Sequence, residues 1–169
     1  MKTKTRTQIT KALCTLMLLI LPAGGAPAAA DTTSFVAHYT TASLSAQEHT
    51  ARNLMNSDRA AYALPALTLD PELCRIARIK SEDMRDNQYF AHTSPTYGDV
   101  RAMLTHFGYR FSGAGENIAH HATVEKSQAA FMSSAGHRRN ILGSQWSKVG
   151  IGVWKDDQGF VYVTQLFVR

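Results

Sequence analysis

The sequence predicts an α+β domain, helices packed over an antiparallel sheet, and three observations carry that expectation. Apolar residues recur every three or four positions, behind helix-capping signals, from Ser45 to about Ser134. After Lys148 the period drops to two, and turn residues separate two β-branched runs. No internal repeat or second linker interrupts Ser45 to Arg169, a length that suits one domain with its own core. Helices followed by antiparallel strands sort into layers over a shared core.

Each element has its own local cause. Ser45-Ala46-Gln47-Glu48 has the form of a capping box, so a first helix runs through Leu54 and Met55 to near Tyr62, before Pro65. Asp70-Pro71 opens a second helix, with Asp70 as N-cap and proline at the first helical position. Leu73, Ile76, Ala77, Lys80 and Met84 then mark its inward face. A third helix is expected from Asp99 to Phe107, burying Val100, Met103, Leu104 and Phe107 and stopped by Gly108. A fourth starts at Thr123 and runs to about Ser134, with Val124, Phe131 and Met132 inward. Val149, Ile151 and Val153 alternate as a strand, Asp156-Asp157-Gln158-Gly159 is turn chemistry, and Phe160 to Val168 is the returning strand. Tyr109 to Phe111 and the stretch near Glu116 are expected to supply further strand.

Residues 1–30 are expected to be an export signal rather than part of the domain. Lys2, Lys4, Arg6 and Lys11 make a positive start, Ala12 to Leu21 is a short apolar run, and Ala28-Ala29-Ala30 offers small residues for cleavage. The run is too short to cross a bilayer as a helix. Cys14 lies at its start, not its exit, which argues against lipid attachment. Residues 31–44, rich in Thr, Ser and Ala, read as a flexible lead-in, leaving 45–169 as the domain. The chain has 18 Lys and Arg against 13 Asp and Glu, but four of the basic residues fall in the leader. The remainder is nearly neutral and lacks the clustered basic footprint that nucleic-acid binding needs. Only Cys74 survives cleavage, so no intramolecular disulfide can form, and its place between Leu73 and Ile76 reads as a buried thiol.

Three segments concentrate titratable side chains beside glycine, proline or a helix end, where loops present functional groups. They are Tyr89-Phe90-Ala91-His92-Thr93-Ser94-Pro95, Gly113-Ala114-Gly115-Glu116-Asn117-Ile118-Ala119 and Gly136-His137-Arg138-Arg139-Asn140-Ile141-Leu142. Singly, His92 and His137 read as capping or packing histidines and Glu116 as a satisfied carboxylate. Asn117 is expected to bond loop backbone beside Glu116. Arg138 and Arg139 read as a solvated face, and Tyr97, His106 and Tyr109 as packing. Neighbours on a strand point to opposite faces, so at most one of His120 and His121 can join Glu116, and both read as surface residues.

The joint order of these segments resembles the bacterial branch of the CAP superfamily (cysteine-rich secretory, antigen 5 and pathogenesis-related 1 proteins). The shared pattern is Phe-x-His, then Gly-Glu-Asn-Ile-Ala, then Gly-His-Arg-x-Asn-Ile-Leu. It extends back through Asn56, Arg59, Leu67, Asp70, Lys80 and Asp83 and forward through Val149 to Val153 and Thr164 to Phe167. The resemblance implies an α-β-α sandwich with a mainly antiparallel central sheet and a cleft holding two histidines and commonly two acids. His92, Glu116 and His137 match three of those four. Where the second acid often stands, this chain has Phe131-Met132-Ser133-Ser134, and Ser134 cannot supply a carboxylate. Phe131 also replaces a tryptophan, and Ala135 a proline common in bacterial relatives.

Two imidazoles and one carboxylate can hold zinc or another divalent ion, with His92, His137 and Glu116 as ligands. Ser134 and Asn117 complete the residues expected around such a cleft. The expectation ranked first is a secreted or envelope-held monomer that binds a metal or ligand without turnover, its partner an extracellular protein, cell-wall component or lipid. The alternatives are a metal-dependent, peptidase-like hydrolase using Glu116, and a lipid or sterol carrier. No His-Glu-x-x-His segment or Gly-x-Ser-x-Gly elbow nominates a nucleophile or a hydrolytic metal centre.

Overall fold

Helix α1, Ala46–Ala61, opens the computed structural model, which describes residues 43–169. The expected export signal and all but the end of the lead-in, residues 1–42, lie outside the described residues. At the start of α1 the Ser45 hydroxyl accepts from the Glu48 amide at 3.2 Å while the Glu48 carboxylate accepts from the Ser45 amide at 2.8 Å. That is the reciprocal bonding of a capping box. Strand β1, Thr68–Leu69, leads to α2, Pro71–Asp86, capped by Asp70. Helix α3, Val100–His106, is capped by Asp99, and Gly108 at φ +68° lets the chain turn away from it. Then come β2, Ala114–His121; α4, Val124–Ser133, capped by Thr123; α5, Ala135–Ile141; β3, Lys148–Lys155; and β4, Val161–Val168.

The strands form one sheet in the order β1-β3-β4-β2, in which only the β1–β3 pair is parallel. Alternation divides the sheet into two faces. One buries Ala119, Val149, Ile151, Val153, Val163 and Phe167 beneath Ala51 and Met55 of α1, Phe131 of α4 and Ile141 of α5. The other buries Leu166 and Val168 beneath Leu73, Ile76 and Ala77 of α2 and Met103 and Leu104 of α3. The result is an α-β-α sandwich.

Contact on the α2 face is unusually close because β3 carries no side chain at two successive inward positions. A Cβ on Gly152 would lie 2.2 Å from the Ala77 carbonyl carbon, and one on Gly150 would lie 2.3 Å from that of Leu73. Beyond the short β1, two outward amides of β3 find side-chain acceptors. The Ile151 amide meets the buried Cys74 sulfur at 3.3 Å, and the Val153 amide meets Glu48 Oε1 at 3.4 Å. Burial pushes the Cys74 thiol up to about 11, in keeping with an inert core cysteine. Glu48 also receives a bidentate pair from Arg78, at 2.7 and 2.8 Å, which ties α1 to α2.

Three details differ from the sequence reading. Tyr109 to Phe111 is not strand: the Tyr109 amide closes α3 on the Leu104 carbonyl, and its ring packs against the α2–α3 core. Residues 135–141, read as loop after a helix, form α5. Ser134, extended at φ −88° and ψ 122°, ends α4 and starts α5, and Gly136 in the first turn hid the helix from propensity. The two-residue β1 is too short for a periodicity to register.

Candidate functional site

Strand β2 lies at one edge of the sheet, so groups from both layers can meet across it. Glu116, near its start, faces the α2 layer, and Asn117, next in sequence, faces the α5 layer. This alternation sets the architecture of the site.

On the α2 side, His92 arrives on the segment that follows the helix. Its Nδ1 lies 2.7 Å from Glu116 Oε1. Lys80, 1% exposed on the inward face of α2, holds that segment by donating to the Ala91 carbonyl at 2.9 Å, the His92 carbonyl at 3.1 Å and the Tyr89 hydroxyl at 3.0 Å. Desolvation pushes the Lys80 ammonium below its ordinary value, while the charges of Glu116 and Asp83 oppose that shift. Asp83, one turn further along α2, accepts from Tyr89, from Ser94 at 2.7 Å, from Thr96 at 2.9 Å and from Asn87 at 2.7 Å. Burial pushes its carboxyl up, but these donors outweigh burial and hold it below the usual range. Residues 87–96 are thus strapped to α2 by one buried cation and one buried anion.

On the α5 side, Asn117 donates to the His137 carbonyl at 3.1 Å and to Gln165 at 3.1 Å. Asn140 donates to the Glu116 carbonyl at 3.1 Å and to Asn117 Oδ1 at 2.9 Å. The His137 ring meets Phe131 edge-on at 5.3 Å and lies 6.4 Å from the His92 ring. One imidazole from each layer therefore faces the other across β2, with Glu116 beside them.

The two imidazoles differ electrically. The hydrogen bond to Glu116 raises His92 above its ordinary value of 6.5. Desolvation, then the nearby charge of His92, lowers His137. Glu116 Oε2 is buried with no hydrogen-bond partner, an orphaned acceptor that a cation or ligand donor would satisfy. Among the described residues, no three His, Cys, Asp or Glu side chains are already arranged to hold a metal ion.

The expected residues take up distinct places. His92, Glu116 and His137 come together, and Asn117 braces His137 through its carbonyl. Ser134 sits at the α4–α5 junction and makes no side-chain capping bond. His120 lies further along β2, bonded to Asp156, and His121 accepts from the Ala122 amide. Tyr97 and His106 pack together at 5.3 Å. Sequence reasoning missed the roles of Lys80 and Asn140. The available signal was a lysine placed on an apolar helix stripe, which demands buried acceptors.

The sequence profile of the cysteine-rich secretory protein family, CAP, matches residues 52–167. YkwD, an uncharacterized protein of Bacillus subtilis, is 41% identical over 131 residues, which cover 77% of this chain and 51% of that protein. An extracellular protein of Bacillus anthracis containing an SCP domain superposes with a TM-score of 0.67 at 35% identity, over 73% of this chain and 40% of that one. The chain therefore spans about half the length of each of these relatives, or less. NaASP2, solved with Zn2+, shares the fold at a TM-score of 0.54 and 15% identity, over 73% of this chain and 80% of that one. Among the described residues no helix is long and apolar enough to cross a membrane.

Proposed function

The chain belongs to the cysteine-rich secretory protein (CAP) family, and from that premise we propose that it is an extracellular-type binding module whose ligand is held by His92, Glu116 and His137. The observation that carries the reading is the pairing of an occupied and an orphaned oxygen on one carboxylate. Glu116 spends Oε1 on orienting His92 at 2.7 Å and keeps Oε2 buried and unpartnered. A buried acceptor without a donor costs about 1–3 kcal/mol, and a ligand relieves that cost.

The donor set suits a divalent ion of zinc type, since imidazole nitrogens favour it and a carboxylate behind a ligating histidine fixes ring and tautomer. His92 and His137 would hold such an ion, and Glu116 would act through His92 or through its free oxygen. When bound, the ion would present a positive charge to an incoming ligand. The Zn2+ in NaASP2 makes zinc the first ion to test, although that protein shares only the fold.

Binding without turnover is favoured because Ser134 stands where relatives commonly carry a second acid and cannot supply a carboxylate. The test is a screen of peptide and ester libraries with zinc present. No turnover is expected. Chelator-sensitive turnover that Glu116→Gln abolishes would overturn the binding reading in favour of a hydrolase.

A further inference from the structure

Among the described residues three large apolar side chains are exposed, Tyr62, Phe90 and Phe160, and two of them converge on one ring. That ring is His120. It lies flat on Tyr162, centroids 4.0 Å apart and planes 9° from parallel, with Phe160 at 5.7 Å and Phe90 at 6.4 Å. His120 shares the Glu116 face of β2, four residues along, or roughly 13 Å at the rise of a strand. Phe90 stands two residues before His92, so the same strapped segment borders both places. Between Phe90, His120, Tyr162 and the β3–β4 turn is an open pocket of about 420 Å³, and Phe160 packs on His120 beside it.

The charge around this pocket is negative. Asp156 and Asp157 line it, and Arg85 is its only lysine or arginine. Arg85 is already paired with Asp86 and Glu82, its guanidinium lying 4.8 Å over Trp154. Asp156 is fixed by His120 at 2.8 Å and by the Gln158 and Phe160 amides at 3.0 and 2.9 Å. Asp157 makes no hydrogen bond or ion pair among the described residues. Exposed aromatic rings beside an excess of carboxylates are complementary to one chemistry: ring faces and acids both attract a positive charge that carries alkyl groups.

We propose that the pocket formed by Phe90, His120 and Tyr162, rimmed by Asp156 and Asp157, binds an organic ammonium group. The rings supply cation–π attraction and cover the alkyl substituents, and the acids set the sign. Such a group can be a quaternary headgroup or the primary amine of a lysine side chain, and the test separates the two. The site goes beyond the His92–Glu116–His137 reading and does not depend on it, because its binding is read without added metal.

Choline and Nα-acetyl-lysine amide are titrated against the metal-free protein by calorimetry, with the neutral tert-butyl isostere of choline as a third arm. One of the two cations is expected to bind on the order of millimolar, which names the source, while the isostere binds at least about tenfold more weakly. Phe90→Ala, at an exposed position in the pocket lining, is expected to weaken the cation about fivefold or more and to leave the fold intact by circular dichroism. Failure of both cations to bind, equal binding of the isostere, or binding indifferent to Phe90→Ala overturns the proposal.

Discussion

Lys80→Met tests whether His92 is held by a buried charge rather than by packing alone. The Lys80 ammonium is enclosed and makes three hydrogen bonds, two of them to the Ala91 and His92 carbonyls. Charge-assisted bonds contribute about 1.5–3 kcal/mol each, and methionine replaces none of them. Against that loss stands the relieved desolvation of the ammonium, since burying a cation costs several kcal/mol. The segment carrying Ala91 and His92 is exposed, so water can rehydrate part of what is lost. The net is about 3 kcal/mol, short of the roughly 5–15 kcal/mol that holds a domain together, so the variant still folds. At a urea dependence of about 1.5 kcal/mol per molar, the unfolding midpoint drops by about 2 M. The control is Lys148→Met, which removes the same charge from a half-exposed pair with Asp70 at 2.9 Å and is expected to cost less than about 1 kcal/mol. Hydrogen exchange at residues 89–92 is expected to quicken only in Lys80→Met. Equal midpoints for the two variants, or unchanged exchange at 89–92, would refute the clamp.

Other consequences follow from the same geometry. Gly152→Ala drives a methyl into the backbone of α2, with contacts of 2.2 Å to Ala77 and Arg78, and is expected to cost about 3 kcal/mol or more by urea unfolding. Gly136→Ala, in α5 where an added Cβ meets nothing within 4 Å, is expected to stabilise by up to about 1 kcal/mol. Asn117→Ala strands the Gln165 oxygen and frees the His137 carbonyl, for an expected loss of about 1–3 kcal/mol, whereas Asn53→Ala on the exposed face of α1 is expected to be neutral in the same assay. The imidazoles are expected to titrate on opposite sides of 6.5, His92 above and His137 below, in an NMR pH series. The linkage signs then differ. Stability from His92 is full below 6.5 and is lost as pH rises through its raised folded value. His137 resists protonation when folded, so its contribution is present above 6.5 and is lost as pH falls through its lowered folded value. His92→Ala should therefore destabilise more at pH 5 than at pH 8, and the reverse would show the assignment to be inverted.

The elements legible in the sequence are those whose signals are local. The Ser45 and Asp70 caps placed two helix starts, because a cap is a contact between residues three apart, and the helices expected from Asp99 and Thr123 are capped by those residues in the same way. The alternation of Val149, Ile151 and Val153 placed β3 for the same reason. What stayed hidden depends on partners distant in the chain. β1 exists only because Thr68 and Leu69 pair with Lys148 and Val149. Tyr109 to Phe111 has strand composition, yet its rings are drawn into the α2–α3 core. At the site, the family resemblance nominated His92, Glu116 and His137, whereas the edge position of β2, which lets the two layers meet there, is a property of strand order. Asn117 was read as bonding loop backbone beside Glu116, whereas its amide donates to the His137 carbonyl of α5 and to Gln165, both distant in the chain.

The central claim is that His92 and His137 act as one binding pair, with Glu116 fixing His92. It is tested most directly by following the imidazole nitrogen resonances of all described histidines while zinc is added to the metal-free protein. The account predicts that one nitrogen each of His92 and His137 shifts together at a single stoichiometric point. The His92 nitrogen facing Glu116 should keep its proton, and His92→Ala/His137→Ala should lose the response while remaining folded. Shifts confined to His49, His106, His120 or His121, or no shift at either site histidine, would contradict it.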